Sequence, residues 1–523
     1  MERPGSGRHT NLYWVPTLTS AFLSLYCIFR AFAMRWVCDD AFISFRYASN
    51  AWNGLGLVFN AGEYVEGYTN FLWTVLMIPA SAFDVAPEVW SWALSLLSLC
   101  ALLGFLTVRL FVCKDLWPLF VVLFLASNFH FQVFATSGLE TMAFTVASFL
   151  GLYLACIGSN SNLKSGIGIL FLLISCTLRP DGLIFLGCGW LWNAWQWWAR
   201  RTKVRLAILL FPVLCLLTYE AWRLCYYGEW LPNTFYAKSA YDSYFAQGLL
   251  YLGLFYSSYW FILPIILLSG FLGIRASRPQ GFAALLIAVL FWHAYVIWIG
   301  GDFMFGRFLV PILPILYCIC GISLERFALV HTRLCEFFSS RPQTGRIGLS
   351  LGCLIILGAL EAVRFDPYHE LAKGSVPQIS GIVEESRFYQ RSKMQELAAL
   401  ARSYKSIIRE SRVRLAFHGA AAFLIYYMDP VYALEASTGL TDARLARRRL
   451  DKRGRIGHEK EATLDYMRER KVNVYMWPPD ADQADRKIVF QGFWDNWQIV
   501  TYDSKVFRTL KKDPRIQFQF TGK

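Results

Sequence analysis

The sequence predicts a polytopic α-helical membrane protein with about eleven transmembrane helices, followed by a soluble α/β domain. Three observations predict it. Hydrophobic residues make up 56% of the 523 and charged residues 17%, whereas soluble domains carry about 25% charge. Apolar runs of bilayer-crossing length recur from residue 12 to residue 363, at about 1.5 Å of helix per residue. Beyond residue 363 the composition turns polar and short β-like runs appear. This composition excludes a disordered chain, a collagen-like chain and a small disulfide scaffold. The formal net charge of +14 fits inner loops and an interfacial patch facing anionic lipid, so no nucleic-acid partner is expected. Of the 13 cysteines, nearly all lie in apolar runs and none lies beyond residue 365. No zinc pattern is present, and the tail must hold itself together without disulfides.

The first apolar run, 12–33, follows Arg3 and Arg8. Ala31-Phe32-Ala33 mimics a signal-peptidase site, but the length of the run and the later spans favour an uncleaved anchor. Further runs occupy 89–112, 116–135, 141–157, 166–178, 183–198, 204–224, 249–274, 281–299, 309–324 and 347–363. The segment 71–83 is apolar but short, and reads as an interfacial helix. An inside N-terminus places Lys114, Lys164, Arg200, Arg201, Lys203, Arg205, Arg275, Arg278, Arg326, Arg333, Arg341 and Arg346 on inner loops, as the positive-inside rule requires. Counting 71–83 as a span would put those clusters outside. Eleven spans from an inside start leave the tail outside. The expected domains are therefore 1–363, transmembrane, and 364–523, soluble and α/β. The latter has a helix-like stretch over 384–410 and β-like runs over 412–417, 431–436, 472–477 and 487–490. No repeat of fixed period is present.

In this topology the polar clusters at span ends fall on the outer side. The first outer loop carries Asp39-Asp40 and then Glu63-Tyr64-Val65-Glu66-Gly67-Tyr68. Later outer loops carry Glu140, Arg179-Pro180-Asp181-Gly182, Asn233 to Lys238, and Gly300-Gly301-Asp302 with Arg307. A carboxylate at the membrane face can take a proton from an acceptor hydroxyl. Adjacent carboxylates repel, which raises one pKa or lets the pair share a cation. Arg179, Lys238 and Arg307 suit a phosphate, with arginine able to bind it through two parallel bonds. Tyr47, Tyr64, Tyr68, Phe235 and Tyr236 could stack on sugar rings. Together these features suggest a lipid-phosphate-linked substrate. The same residue types also serve plainer ends: ion pairs fix loops, and tyrosines form an interfacial belt. An acidic pair at a span end is costly to keep without a role, which singles out Asp39-Asp40. The basic run Arg444 to Arg455 reads as a solvated or headgroup-facing helix.

The block Asp39-Asp40-Ala41-Phe42-Ile43-Ser44-Phe45-Arg46 with Gly54 to Asn60 and Glu63 to Thr69 resembles the first periplasmic loop of bacterial GT-C glycosyltransferases. The likeness is strongest to terminal arabinofuranosyltransferases of mycobacterial arabinan and to pilin arabinosyltransferases of pseudomonads. Arg179-Pro180-Asp181-Gly182, 231–238, 300–307, Gly439-Leu440-Thr441-Asp442 and 455–460 fit the same group. The resemblance implies a GT-C fold in the bacterial inner membrane, with active site and tail facing the periplasm. It implies a polyprenyl-phosphate sugar donor, decaprenyl- or undecaprenyl-phosphate arabinofuranose, and a glycan or pilin hydroxyl as acceptor. It assigns the catalytic acid to Asp39 or Asp40, with Asp39 first. It assigns the donor phosphate to Arg179, Lys238 and Arg307. Sugar or acceptor binding falls to Arg46, Glu66, Tyr68, Glu140, Asp181, Asn233, Tyr236, Asp302 and His458; Glu66, Glu140, Asp181 and Asp302 either orient hydroxyls or hold the cations. Glu435 stands where the family carries an Asp ahead of the Gly439 element. No cofactor is required; a divalent cation, if used, would sit on Asp39 and Asp40. Two readings from other classes remain. A flippase of a lipid-linked sugar should carry ionisable residues at mid-span and repeat symmetry. A non-catalytic wall-assembly protein should lose glycan binding with its tail.

Overall fold

The computed structural model describes residues 14–158, 161–239, 242–275, 280–330, 342–369, 378–419, 421–450, 454–455, 457–478, 486–493 and 497–520. Arg3, Arg8, Arg278, Arg333, Arg341, Lys452, Arg453 and Ile456 lie outside these residues. The chain packs as two compact units. One comprises Met1–Arg35, Ser91–Leu216 and Tyr244–Pro377; the other comprises Trp36–Trp90, Leu217–Ser243 and Gln378–Lys523.

The first unit is helical. Among the described residues of the chain, five helices are long and apolar enough to cross a membrane: Trp14–Ala33, Pro87–Cys113, Lys203–Tyr227, Phe282–Ile299 and Val310–Phe327. The run expected as one span over 249–274 is two helices, Phe245–Ser258 and Ile262–Phe271, bent by 94°. Shorter apolar helices cover Trp117–Ser127, Thr141–Ile157, Asn162–Leu178 and Ile347–Ala362. Two half-buried carboxylates of this unit have internal partners, as a low-dielectric setting favours. Tyr26 donates to Glu361 at 2.6 Å. The Glu325 carboxylate accepts the N–H groups of Leu116 (2.7 Å) and Trp117 (3.2 Å), orphan donors at a helix start.

The second unit combines the first loop, the 217–243 segment and the tail. Its six-stranded sheet contains β3 (Arg414–Phe417), β4 (Tyr432–Glu435), β5 (Val474–Met476), β6 (Arg486–Phe490), β7 (Trp497–Ile499) and β8 (Ile516–Phe520), in the order β4-β3-β5-β7-β6-β8. A separate hairpin pairs β1 (Gln378–Ile379) with β2 (Ile382–Val383). Strand β3 runs parallel to both β4 and β5. The other pairings are antiparallel. The sequence explains the difference. Leu415, Ala416 and Phe417 are buried on both faces, as central parallel strands are, whereas β6 alternates exposed and buried positions. The amphipathic helix Arg391–Ser411 buries Leu397, Ala401, Tyr404 and Ile408. A core of Ala416, Tyr432, Leu434, Met467, Val472 and Tyr475 fills one face. The large members each contribute about 1.5–3 kcal/mol on full burial. The 71–83 segment forms two short helices, Phe71–Leu76 and Ile78–Ala82.

Within this unit the first loop is tied to the tail by side chains that copy backbone pairing. Asn60 donates to the Ala433 carbonyl and accepts the Ala433 N–H, both at 2.9 Å. Gly67 lies so close to the tail that an added Cβ would meet the Leu440 carbonyl oxygen and the Tyr47 hydroxyl at 2.7 Å. Substituting Gly67→Ala is therefore expected to cost about 1–3 kcal/mol, the usual range for overpacking. A thermal melt of the purified variant checks this; an unshifted transition would contradict the packing described.

Candidate active site

Asp39 sits in the turn Cys38-Asp39-Asp40 that starts the helix Ala41–Trp52; the Phe42 N–H closes that turn on the Asp39 carbonyl at 2.9 Å. Asp39 is 6% exposed. Both carboxylate oxygens accept backbone N–H groups from the tail, Ala422 at 3.0 Å and Phe423 at 2.9 Å. These belong to the start of the helix Ala422–Met428, which follows the carboxyl end of β3. Burial pushes the Asp39 pKa up, the two N–H bonds pull it down, and the nearby Asp40 and Glu435 carboxylates push it up again, leaving it at about 8. Asp40 is half-buried. Glu435, at the end of β4, is buried, and its pKa is raised by that burial. It accepts from Ser437 N–H (3.1 Å), Ser437 Oγ (2.7 Å), Thr438 N–H (2.8 Å) and Thr438 Oγ1. Buried Tyr389 stacks on Trp36 with ring centroids 6.1 Å apart. Burial and the surrounding carboxylates, Glu385 and Asp39 foremost, hold its hydroxyl protonated. The site is thus an acidic nest at the carboxyl ends of two parallel strands, the place where open α/β sheets bind ligands. Among the described residues no group of three or more His, Cys, Asp or Glu is arranged to hold a metal ion. The two oxygens of Asp39 are instead engaged by N–H donors.

Several residues expected to bind sugar have partners within the second unit. The Arg46 guanidinium donates to the carbonyls of Phe59 and Pro430 (both 2.9 Å) and Ile425 (3.4 Å), and lies 3.8 Å from Asp429. The bonds to Ile425 and Pro430 tie the first loop to the tail. Glu66 forms a buried ion pair with Arg223 at 2.6 Å. Tyr68 is 3% exposed and shares a hydrogen bond with Tyr227 at 2.8 Å, so its ring belongs to the core rather than to a stacking surface. Asn233 donates to the carbonyls of Gly439 (2.9 Å) and Leu440 (2.8 Å). Arg223 sits inside the apolar run 204–224 and Tyr227 just beyond it, where neither carries a local signal of a site. Tyr236 lies under the Arg447 guanidinium, 4.6 Å from its ring centre. Lys238 lies against the turn that carries Gly457 and His458, its Cε 3.8 Å from where a Gly457 Cβ would stand.

The helical unit holds a second polar cluster. Arg179 donates to Asp181 (2.6 Å) and Glu140 (3.2 Å), while Arg307 donates to Glu140 and Asp302 (both 3.3 Å). All five side chains are buried, none more than 10% exposed. Local sequence makes this geometry. Pro180 ends the helix Asn162–Leu178 and leaves Arg179 extended at φ −154°. Gly300 closes the helix Phe282–Ile299 with φ +89°. Burial disfavours the Arg179 charge, but Asp181 and Glu140 more than offset it and its pKa is raised. Three carboxylates face the two guanidiniums of Arg179 and Arg307, the cations expected to meet a donor phosphate. Glu140, Asp181 and Asp302 are the residues that hold those cations.

No protein-family model matches the chain. It is similar to the terminal β-(1→2)-arabinofuranosyltransferase of Corynebacterium glutamicum, 29% identical over 353 residues, covering 57% of this chain and 50% of that protein. The enzyme of the same name from Mycobacterium tuberculosis is 27% identical over 403 residues, covering 68% and 62%. The chain thus spans about half to three-fifths of the length of these curated relatives. Among solved structures it resembles ArnT from Cupriavidus metallidurans. The apo form matches with TM-score 0.53 at 13% identity, covering 92% of this chain and 96% of ArnT. The form bound to undecaprenyl phosphate gives TM-score 0.51 at 12% identity, covering 82% and 87%. At this identity the likeness establishes the fold alone, one shared with ArnT.

Proposed function

We propose, on the premise that a chain of the ArnT-like GT-C fold similar to terminal arabinofuranosyltransferases does related chemistry, that this protein is a membrane glycosyltransferase. It moves D-arabinofuranose from a polyprenyl-phosphate donor to a hydroxyl of a cell-surface glycan, with Asp39 facing the periplasm. The single observation that carries the reading is the Asp39 carboxylate, fixed by two N–H bonds and held near pKa 8. A base poised close to the operating pH is the efficient kind. An ionised carboxylate offers about four lone-pair sites, so Asp39 can accept a further hydrogen bond from an acceptor hydroxyl. In the reaction the acceptor oxygen bonds to the anomeric carbon. The bond from that carbon to the phosphate oxygen breaks, and its electron pair leaves with the polyprenyl phosphate. The hydroxyl proton passes to Asp39. Lys238, beside the Gly457-His458 turn, is the proposed cation for the phosphate, and Tyr236 and His458 the proposed sugar contacts. Arg179 and Arg307 keep their loops in shape through their ion pairs.

The purified protein, given synthetic decaprenyl-phosphoryl arabinofuranose and an arabinofuranosyl oligosaccharide, should yield a product one pentose heavier by mass spectrometry. No transfer from any polyprenyl-phosphate pentose would refute the reading. The pH profile supplies a second test. Activity needs Asp39 ionised, so kcat/KM should rise with pH through about 8. Asp40 is one of the charges that raises this pKa. The Asp40→Asn variant should therefore keep activity and shift the rising limb to lower pH; a limb that stays in place counts against the coupling.

A further inference from the structure

The second unit contains a pocket of about 610 Å³ that the chemistry above does not use. Its size falls within the range of small-molecule sites, about 300–1,000 Å³. One wall is the end of the helix Ala41–Trp52, with Trp52 54% exposed at its mouth. Another is formed by the helices Arg391–Ser411 and Ala422–Met428, which supply Arg402, Lys405 and Tyr426. Arg402 lies over the Tyr427 ring, 4.2 Å from its centre, and Lys405 pairs with Asp429 at 3.2 Å. Asp84 lines the remaining side.

We propose that this pocket binds sugar residues of the acceptor glycan at a distance from the reacting hydroxyl. The inference rests on the glycosyltransferase reading for the identity of the glycan. The lining selects the ligand class. Arg46, Arg402 and Lys405 line it together with Asp84 and Asp429, so a phosphate drawn to the cations would also face two carboxylates. A polyhydroxyl chain meets both signs, donating to the carboxylates and accepting from the cations, while an exposed aromatic ring covers an apolar sugar face. Position sets the reach. The helix Ala41–Trp52 has 12 residues, so Trp52 lies about 18 Å along its axis from the Asp39-Asp40 turn. A disaccharide acceptor cannot occupy both places, and a longer chain can.

The test is direct titration calorimetry on the full-length protein in detergent, without donor, using an arabinofuranosyl octasaccharide and a disaccharide as probes. Trp52 and Arg402 are both exposed, so Trp52→Ala and Arg402→Ala should melt as the wild type does. Each variant is expected to weaken octasaccharide binding at least tenfold and to leave disaccharide binding unchanged. Octasaccharide affinity equal in wild type and both variants overturns the site, as does a wild type that binds neither probe. So does a pocket that instead takes phosphatidylglycerol nanodiscs in an Arg402-dependent way. Transfer to the disaccharide is scored separately. Its absence in the wild type sinks the enzyme reading, whereas the binding result speaks to the pocket alone.

Discussion

Replacing Asp39 with Asn should lower kcat for arabinofuranosyl transfer by about 10²–10⁴-fold, the usual contribution of a positioned general base. The amide keeps the shape of the carboxylate and cannot take the acceptor proton. It also offers one acceptor oxygen where two N–H groups, from Ala422 and Phe423, now bond. One N–H then faces an NH₂ group, at a cost of about 1–3 kcal/mol for a buried unsatisfied donor. Stability and activity are separable through pH. The folded-state pKa of Asp39 lies above its unfolded value of 3.8, at about 8. Folding therefore favours the protonated form, and this group's contribution is most favourable below about pH 4 and erodes as pH rises to about 8. Asp39→Asn removes that titration, so the variant's melting temperature should vary less across this interval while its transfer rate stays low at every pH. Wild-type transfer rates in the variant would end the assignment of Asp39 as base.

Replacing Arg179 with Ala should destabilise the protein by about 3–5 kcal/mol, the cost of breaking a buried ion pair from one side. Asp181 would lose its partner at 2.6 Å, and Glu140 would keep only Arg307. The cluster goes from three carboxylates against two guanidiniums to three against one. The loss also removes a cation stacked over Phe308 at 4.7 Å and Phe144 at 5.4 Å. Arg179→Lys keeps the charge but cannot span Asp181 and Glu140 with one planar fork, and should fall between the two. Thermal melts in detergent read the effect. If Arg179 served a donor phosphate instead, the melts would not move and the KM for the donor would rise; that pattern would overturn the structural role.

Much of the architecture is legible in residue order because periodicity and composition are local properties. Runs of apolar residues announce helices in the first unit, and the change after residue 363 announces the sheet. Apolar runs mark β3 to β6. The strand Trp497–Ile499 is too short to carry a pattern, while Ile516–Phe520 alternates Ile516, Phe518 and Phe520 with two glutamines, the period-2 signal of a half-buried strand. The candidate site is legible by kind rather than by geometry. An acidic pair after a span is unusual enough to single out Asp39 and Asp40. Nothing in their neighbourhood shows that Asp39 binds N–H groups 383 and 384 residues away. Nor does it show that Arg46 and Asn233 spend their donors on the tail, or that Glu66 pairs with an arginine inside an apolar run.

The sequence by itself determined a polytopic membrane protein with a polar α/β tail and an acid-bearing first loop. Each of those follows from contacts between residues a few positions apart, where pattern and spacing dictate partners. Only the tertiary structure decided which carboxylate is held at a pKa near 8, and which arginines are already neutralised. The physical reason is that pKa and charge compensation depend on burial and on the nearest opposite charge, and both are supplied by segments far away in the chain.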